Sequence, residues 1–162
     1  MRFIIIGVIV LIIFLISSPS LLKGAFPKGL TPELAEMIQA KAYQWGADPV
    51  LVKAHAYVES AFNTRAKNPA DPSYGLMQIT PALAYDFGLI SNWKSPSSVE
   101  IDLIYIPEFN LDVACWFIAR LHKELPFDGG IQAYNVGLTG YKKGKRVPIY
   151  LKRVRKYYAK YS

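Results

Sequence analysis

The sequence predicts a mainly α protein with one globular domain, preceded by an N-terminal apolar segment. Three observations carry this. Apolar residues recur at spacings of three and four in four separate stretches. Thr31-Pro32, Asp48-Pro49 and Thr80-Pro81 each offer a capping side chain followed by a first-turn proline, the signature of a helix start. No stretch alternates apolar and polar residues for long, which leaves room for a small hairpin at most, near the central loop after Glu59 or at Lys143 to Val147. At 162 residues, 52% of them hydrophobic, the chain can bury a core without metal or disulfide staples.

Met1-Arg2 precedes an unbroken apolar run from Phe3 to Ile16 that includes Gly7, and the stretch to Leu22 extends it to the length of a minimal membrane span. A short apolar run behind one basic residue also suits a signal peptide, with Ser18-Pro19-Ser20 at the cleavage position. Pro19 and the missing alanine pattern favour an uncleaved signal-anchor. Both readings export the rest of the chain: it is inner-membrane-anchored and faces the periplasm or cell wall, or it is secreted if the signal is cleaved. Residues 1–22 are thus the signal or anchor, 23–30 a linker containing two glycines, a proline and two lysines, and 31–162 the domain.

Within the domain, Thr31 caps a helix that carries Leu34, Met37, Ile38, Ala42 and Trp45 until Gly46. Asp48 caps the next, which runs from Pro49 to about Ser60. A polar loop with Asn68-Pro69 and Asp71-Pro72 follows, then a short helix from Pro81 that Gly88 closes. Ser91 to Pro107 reads as a mostly irregular connection whose Trp93 and Tyr105 either line a groove or pack the loop down. From Pro107 a long helix presents Leu111, Ala114, Ile118, Leu121 and Leu125 as a core seam and stops before Pro126. Gly129-Gly130 is read as a turn into a short helix bearing Ala133-Tyr134-Asn135, ended by Gly137 and Gly140. The last helix sets Tyr150, Val154, Tyr157, Tyr158 and Tyr161 on one stripe and basic residues over most of the rest.

Glu59 is the residue on which function turns. Its helix is apolar around most of its circumference, and helical spacing puts Glu59 on the stripe of Val52, His55 and Ala56. Burial and the negative end of the helix dipole both disfavour the ionised carboxylate. A carboxyl kept protonated near neutral pH can act as a general acid.

The motifs around it occur in a recognisable order: Glu59-Ser60, then Gly75-Leu76-Met77-Gln78, then Ala133-Tyr134-Asn135, then a late tyrosine best fitted by Tyr150, with Tyr141 and Tyr157 as rivals. Together they resemble the soluble lytic transglycosylase family, from about Thr31 to the C-terminus. The resemblance implies a lysozyme-like fold with a substrate groove. It also implies a lyase acting on peptidoglycan glycan strands at the bond between N-acetylmuramic acid and N-acetylglucosamine, with Glu59 as the single acid and base. The muramic acid C6 hydroxyl supplies the nucleophile and a 1,6-anhydro sugar results. By the same resemblance Ser60, Gln78, Tyr134, Asn135 and Tyr150 bind substrate, Gly75 allows close backbone approach to a sugar, and Leu76 and Met77 shape an apolar wall. Ala114 and Val136 depart from the family pattern, where glycine and a small residue are usual, which bears on the width of the groove.

Two alternatives stay open. A goose-type lysozyme-like hydrolase would use a second carboxylate, such as Asp71 or Asp86, to activate water. A membrane-tethered glycan-binding module would need no half-buried acid, and Glu59 argues against it. The resemblance does not choose among wall remodelling, a secretion or conjugation machine, and a phage entering or leaving its host.

Other classes of function find little support. Cys115 is the sole cysteine, and it stands seven residues from His122 on one predicted helix, about 10 Å along the axis, so the two cannot form a thiol and base pair. Cys115 is read as a core residue and His122 as a surface or capping one. His55 and His122 lack metal spacing, so neither metal nor cofactor is expected. The net charge of +7 is a C-terminal property, since Tyr141 to Ser162 holds nine basic residues and no acidic one. Nucleic acid is not expected, because tyrosines and basic residues segregate to different faces instead of interleaving.

Overall fold

The computed structural model describes residues 26–162, so the apolar segment and the first part of the linker lie outside the described residues. Among the described residues eight helices follow one another: α1 (Pro32–Trp45), α2 (Pro49–Ser60), α3 (Pro81–Phe87), α4 (Ser98–Tyr105), α5 (Pro107–Glu124), α6 (Phe127–Val136), α7 (Leu138–Lys142) and α8 (Pro148–Tyr161). The β structure among the described residues consists of two isolated antiparallel bridges, Lys67 with Tyr74 and Tyr74 with Ile79. They fold the central loop back on itself; Lys143 to Val147 forms no strand.

The helix starts read from the sequence carry their caps. The side chains of Thr31, Asp48 and Thr80 accept from the backbone N–H groups of Leu34, Val50 and Leu83 at 3.2, 2.8 and 3.3 Å. Such caps satisfy donors that the first helical turn leaves unpaired. Ser91 to Pro107 is not irregular throughout, because α4 lies within it. Ser97 and Glu100 form a reciprocal capping box there, each side chain bonding the other's backbone N–H, and that signal stands in the sequence as Ser-x-x-Glu.

Gly129 and Gly130 do not make a turn; they sit inside α6. A Cβ on Gly130 would lie 2.6 Å from the His122 ring, and one on Gly129 would lie 2.8 Å from the Tyr141 hydroxyl. The absence of side chains is what lets α5 and α7 approach α6. It also corrects the reading of His122, which is half-buried against Gly130 and Phe127, its ring 5.6 Å from that of Phe127. Gly137 ends α6 as expected, whereas Gly140 lies within α7.

Two helix pairs set the frame. α8 runs antiparallel along α2: Tyr158 bonds Asp48 at 2.8 Å, the Tyr157 ring meets Tyr57 at 4.0 Å, and Arg153 donates to the Val58 carbonyl at 3.2 Å. α1 is pinned to α5 by Asp112, which accepts from Lys41 at 2.7 Å and from the Trp45 indole at 2.8 Å. Between them lie Ile38, Leu51, Val52, Leu76, Met77, Leu111, Cys115 and Ile118, each almost wholly buried. Burying one such aliphatic side chain contributes roughly 1.5–3 kcal/mol. Among the described residues no helix is long and apolar enough to cross a membrane.

Candidate active site

Everything at this site depends on where α2 stops. Ala61 and Phe62 both take positive φ, 51° and 66°, a conformation that costs L side chains energy. Burial of Phe62 (3% exposed) against Tyr57 offsets that cost, and the sharp turn ends the helix with Glu59 at the edge of a groove. Ser60 ties this end down, since its hydroxyl lies 2.7 Å from the Leu76 carbonyl and 3.2 Å from that of Ala56.

Gly75 to Gln78 forms the adjoining rim. Gly75 has φ 77°, and its missing Cβ leaves room for Asn110, whose amide nitrogen would be 2.6 Å from that atom. Asn110 is fully buried near the start of α5. Its amide donates to the carbonyls of Tyr74 and Ile104 at 2.9 and 2.8 Å and accepts from the Met77 N–H at 2.8 Å. Gln78 spans the loop, accepting from Ser73 and donating to the Gly75 carbonyl, both at 2.9 Å.

The structure separates the expected site residues into two sets. Glu59, Ser60, Gln78, Tyr134, Asn135 and Tyr150 line one groove of about 1170 Å³. Gly75, Leu76 and Met77 do not. Gly75 faces Asn110, and the Leu76 and Met77 side chains are 0% exposed in the core, so their carbonyls contribute by receiving Ser60 and Tyr134. The apolar wall expected from those two side chains is therefore absent. Trp93 and Tyr105 lie outside the groove as well; Tyr105 packs edge-on to Tyr74 at 5.5 Å.

Of the three late tyrosines, Tyr150 is the one bonded to Glu59: its hydroxyl donates to Oε1 at 2.5 Å. Tyr157 lines the groove beside Tyr57, and Tyr141 lies under Arg146 at 3.9 Å. Burial pushes the Glu59 carboxyl up to about 7, against the Tyr150 hydrogen bond and the Arg153 charge, which pull it down. Burial and the Glu59 charge hold the Tyr150 phenol well above its usual value, so it remains a proton donor. The site thus presents a carboxyl that can hold or release a proton near neutrality, gripped on one oxygen.

Asp71 and Asp86 line the same groove, as do the cations Lys67, Arg120 and Arg153. Among the described residues no group of three or more His, Cys, Asp or Glu side chains is placed to hold a metal ion. Sequence reasoning gave no role to Asn110 or His55, and it counted Arg153 only among the basic residues of the last helix, whereas Arg153 lines the groove and bonds the Val58 carbonyl. His55 did carry a signal, because it is the polar member of the apolar stripe that leads to Glu59; its Nδ1 lies 2.8 Å from the Tyr150 hydroxyl.

Comparison with known proteins bears on the family and the fold. The model of the transglycosylase SLT domain matches residues 36–148. Among solved structures, the chain is similar to an X-ray structure of the lytic transglycosylase Slt from Pseudomonas aeruginosa, an inactive mutant, with a TM-score of 0.59 and 18% identity. That likeness concerns the fold, and it covers 78% of this chain but only 23% of the other. No curated protein matches the sequence. The family match spans well over half of the residues, and by it the chain belongs to the transglycosylase SLT domain family.

Proposed function

We propose that the domain is a peptidoglycan lytic transglycosylase in which Glu59 is the single acid and base. The observation that carries this is the state of Glu59: a half-buried carboxyl in a long groove, pushed up to about 7 and gripped by Tyr150. In the first step Glu59 gives its proton to the oxygen between N-acetylmuramic acid and N-acetylglucosamine, and the bond from the muramic C1 to that oxygen breaks. Positive charge then develops at C1 beside the newly formed carboxylate, which stabilises it.

In the second step the carboxylate takes the proton of the muramic C6 hydroxyl as that oxygen bonds to C1. The 1,6-anhydro ring closes, Glu59 is protonated again, and no water is consumed. A nucleophile on the same sugar ring has a high effective concentration, so no second side chain has to attack. A pKa near 7 suits both transfers, since the same group must give and then take a proton.

The exposed Asn135 amide offers hydrogen bonds to N-acetyl and hydroxyl groups along the groove, while Gln78, whose amide nitrogen is taken by the Gly75 and Ala66 carbonyls, offers only its oxygen. Ser60 and Tyr134 act by holding its floor. The exposed lysines 152 and 156 on α8 add attraction for anionic wall polymers. On this reading the domain works outside the cytoplasmic membrane, delivered by residues 1–22.

Asp71 and Asp86 keep a hydrolase in play, because both line the groove. Turnover of purified peptidoglycan by Glu59→Gln, Asp71→Asn and Asp86→Asn separates the readings. Glu59→Gln should lose at least the ~10²-fold to 10⁴-fold typical of removing a general acid or base. Either aspartate variant should lose far less, and an aspartate variant as inactive as Glu59→Gln would favour the hydrolase.

A further inference from the structure

His55 lies one helical turn before Glu59 on α2, fully buried. It makes no contact with the groove, yet its Nδ1 stands 2.8 Å from the hydroxyl that grips Glu59. Its other ring nitrogen, Nε2, is buried without a hydrogen-bond partner among the described residues. The ring is held between Tyr134 of α6 and Tyr150 of α8, at 4.6 and 5.8 Å between centroids. The aliphatic and aromatic packing expected of such a position would be served as well by leucine. A histidine there calls for a polar reason.

Counting protons supplies one. The Tyr150 hydroxyl has a single hydrogen and gives it to Glu59 Oε1. Its contact with His55 must then be one in which the phenol oxygen accepts, so the imidazole proton is on Nδ1 and Nε2 is a bare lone pair. The reverse arrangement, with Tyr150 donating to Nδ1, would strip the carboxylate of its donor and leave a buried N–H unpaired. A buried acceptor without a partner is less rare than a buried N–H without one.

We infer that His55 is a positioning residue for the activity proposed above: locked as the Nδ1–H tautomer, it donates to Tyr150 and so fixes the direction of the Tyr150 to Glu59 hydrogen bond. Two consequences follow. Polarised by the imidazole, Tyr150 is a stronger donor to the carboxylate than a lone phenol. And because Oε1 is permanently occupied by a donor, the acid proton of Glu59 resides on Oε2, which leaves one oxygen anchored and the other to do the chemistry.

The surroundings keep this arrangement from switching. The titratable groups around His55 are Glu59 on its own helix, Tyr150 from α8, Tyr134 from α6, and Cys115 and His122 from α5. Burial, with a smaller contribution from the His122 charge, pushes the imidazole down to about 3, so it stays neutral wherever Glu59 titrates. Burial likewise raises both phenols and the thiol. Burial lowers His122 as well, and Glu59 is the group of this cluster that burial moves up to about 7.

The test uses the full chain labelled with nitrogen-15 at histidine. There are two histidines, and His122→Gln assigns them. Nitrogen spectra from about pH 5 to 8 should show His55 protonated at Nδ1, bare at Nε2 and unchanged throughout; a proton on Nε2, or a titration in that range, overturns the proposal. In the kinetic arm His55→Leu should lose about three- to tenfold in kcat, the worth of one hydrogen bond, with KM retained. The alkaline limb of its kcat/KM profile should move upward, because Glu59 loses a polarised donor. His55→Asn, whose amide can present an N–H near the Nδ1 position, should recover most of the rate. A folded His55→Leu protein with the wild-type limb, or His55→Asn no better than His55→Leu, contradicts the role. If the wild type cleaves no glycan, the activity proposed above fails while the spectra still decide the tautomer.

Discussion

Tyr150 donates to Glu59 across 2.5 Å, and the two residues are 91 positions apart in the chain. One lies in the first turn of the last helix and the other at the end of α2, so the site exists only once α8 has docked along α2. Arg153, one turn further on, bonds the Val58 carbonyl at the same helix end, where a cation also complements the helix dipole. Docking and assembly of the acid are a single event.

Tyr150→Phe keeps the packing and removes the donor. Hydrogen bonds to charged groups contribute about 1.5–3 kcal/mol, so kcat/KM should fall roughly ten- to a hundredfold. The bond holds the Glu59 pKa down, and its loss should move the alkaline limb of the pH profile up. A rate loss with an unmoved limb would mean that Tyr150 acts on substrate and not through Glu59.

Stability should depend on pH in opposite directions through two residues of α2. Glu59 has its pKa raised from 4.5 to about 7 in the fold, so its stabilisation is complete below about pH 4.5 and is lost as pH rises through 7, roughly 3 kcal/mol in all. His55 is depressed from 6.5 to about 3, so its contribution is complete above pH 6.5 and is lost as pH falls toward 3. Glu59→Gln should therefore match the wild type near pH 4 and exceed it at pH 8 by up to about 3 kcal/mol. Urea unfolding midpoints across that range measure this, and parallel curves for the two proteins would refute it.

Asn110 ties the loop from Tyr74 to Met77 to the end of α4 by three hydrogen bonds from a fully buried side chain, two to the loop and one to the Ile104 carbonyl. Asn110→Ala leaves two carbonyls and one N–H without that partner and should cost roughly 3 kcal/mol. Gly75→Ala should hurt for two reasons, a φ of 77° and a contact at 2.6 Å with the Asn110 amide. Thermal unfolding reads both; a fall of only a degree or two for Asn110→Ala would show that water replaces the bonds.

Much of this architecture was legible because capping and periodicity are local. Thr31, Asp48 and Thr80 cap where their Pro-led helices begin, and Glu59 proved half-buried on the stripe assigned to it. α4 is legible in principle through Ser97 and Glu100, but the serines and prolines around that box carry the stronger loop signal. Gly129-Gly130 misled, because a glycine needed for close packing against His122 and Tyr141 looks the same in sequence as one needed for a turn. Leu76 and Met77 misled differently: a motif marks a segment, and only the fold tells which of its side chains face the groove and which face the core. Asn110 and His55 act through partners 33 and 95 positions away, beyond the reach of any local pattern.

The most direct test of the central claim is the chemistry of the cut ends. Peptidoglycan digested by the wild type in water enriched in heavy oxygen should yield muropeptides ending in 1,6-anhydro-N-acetylmuramic acid, one water lighter than reducing ends and free of label, because the new C1 bond is made by the sugar's own C6 oxygen. Mass spectrometry that instead finds reducing ends carrying heavy oxygen at C1 would contradict the account, since water and not the sugar's C6 hydroxyl would then be the nucleophile.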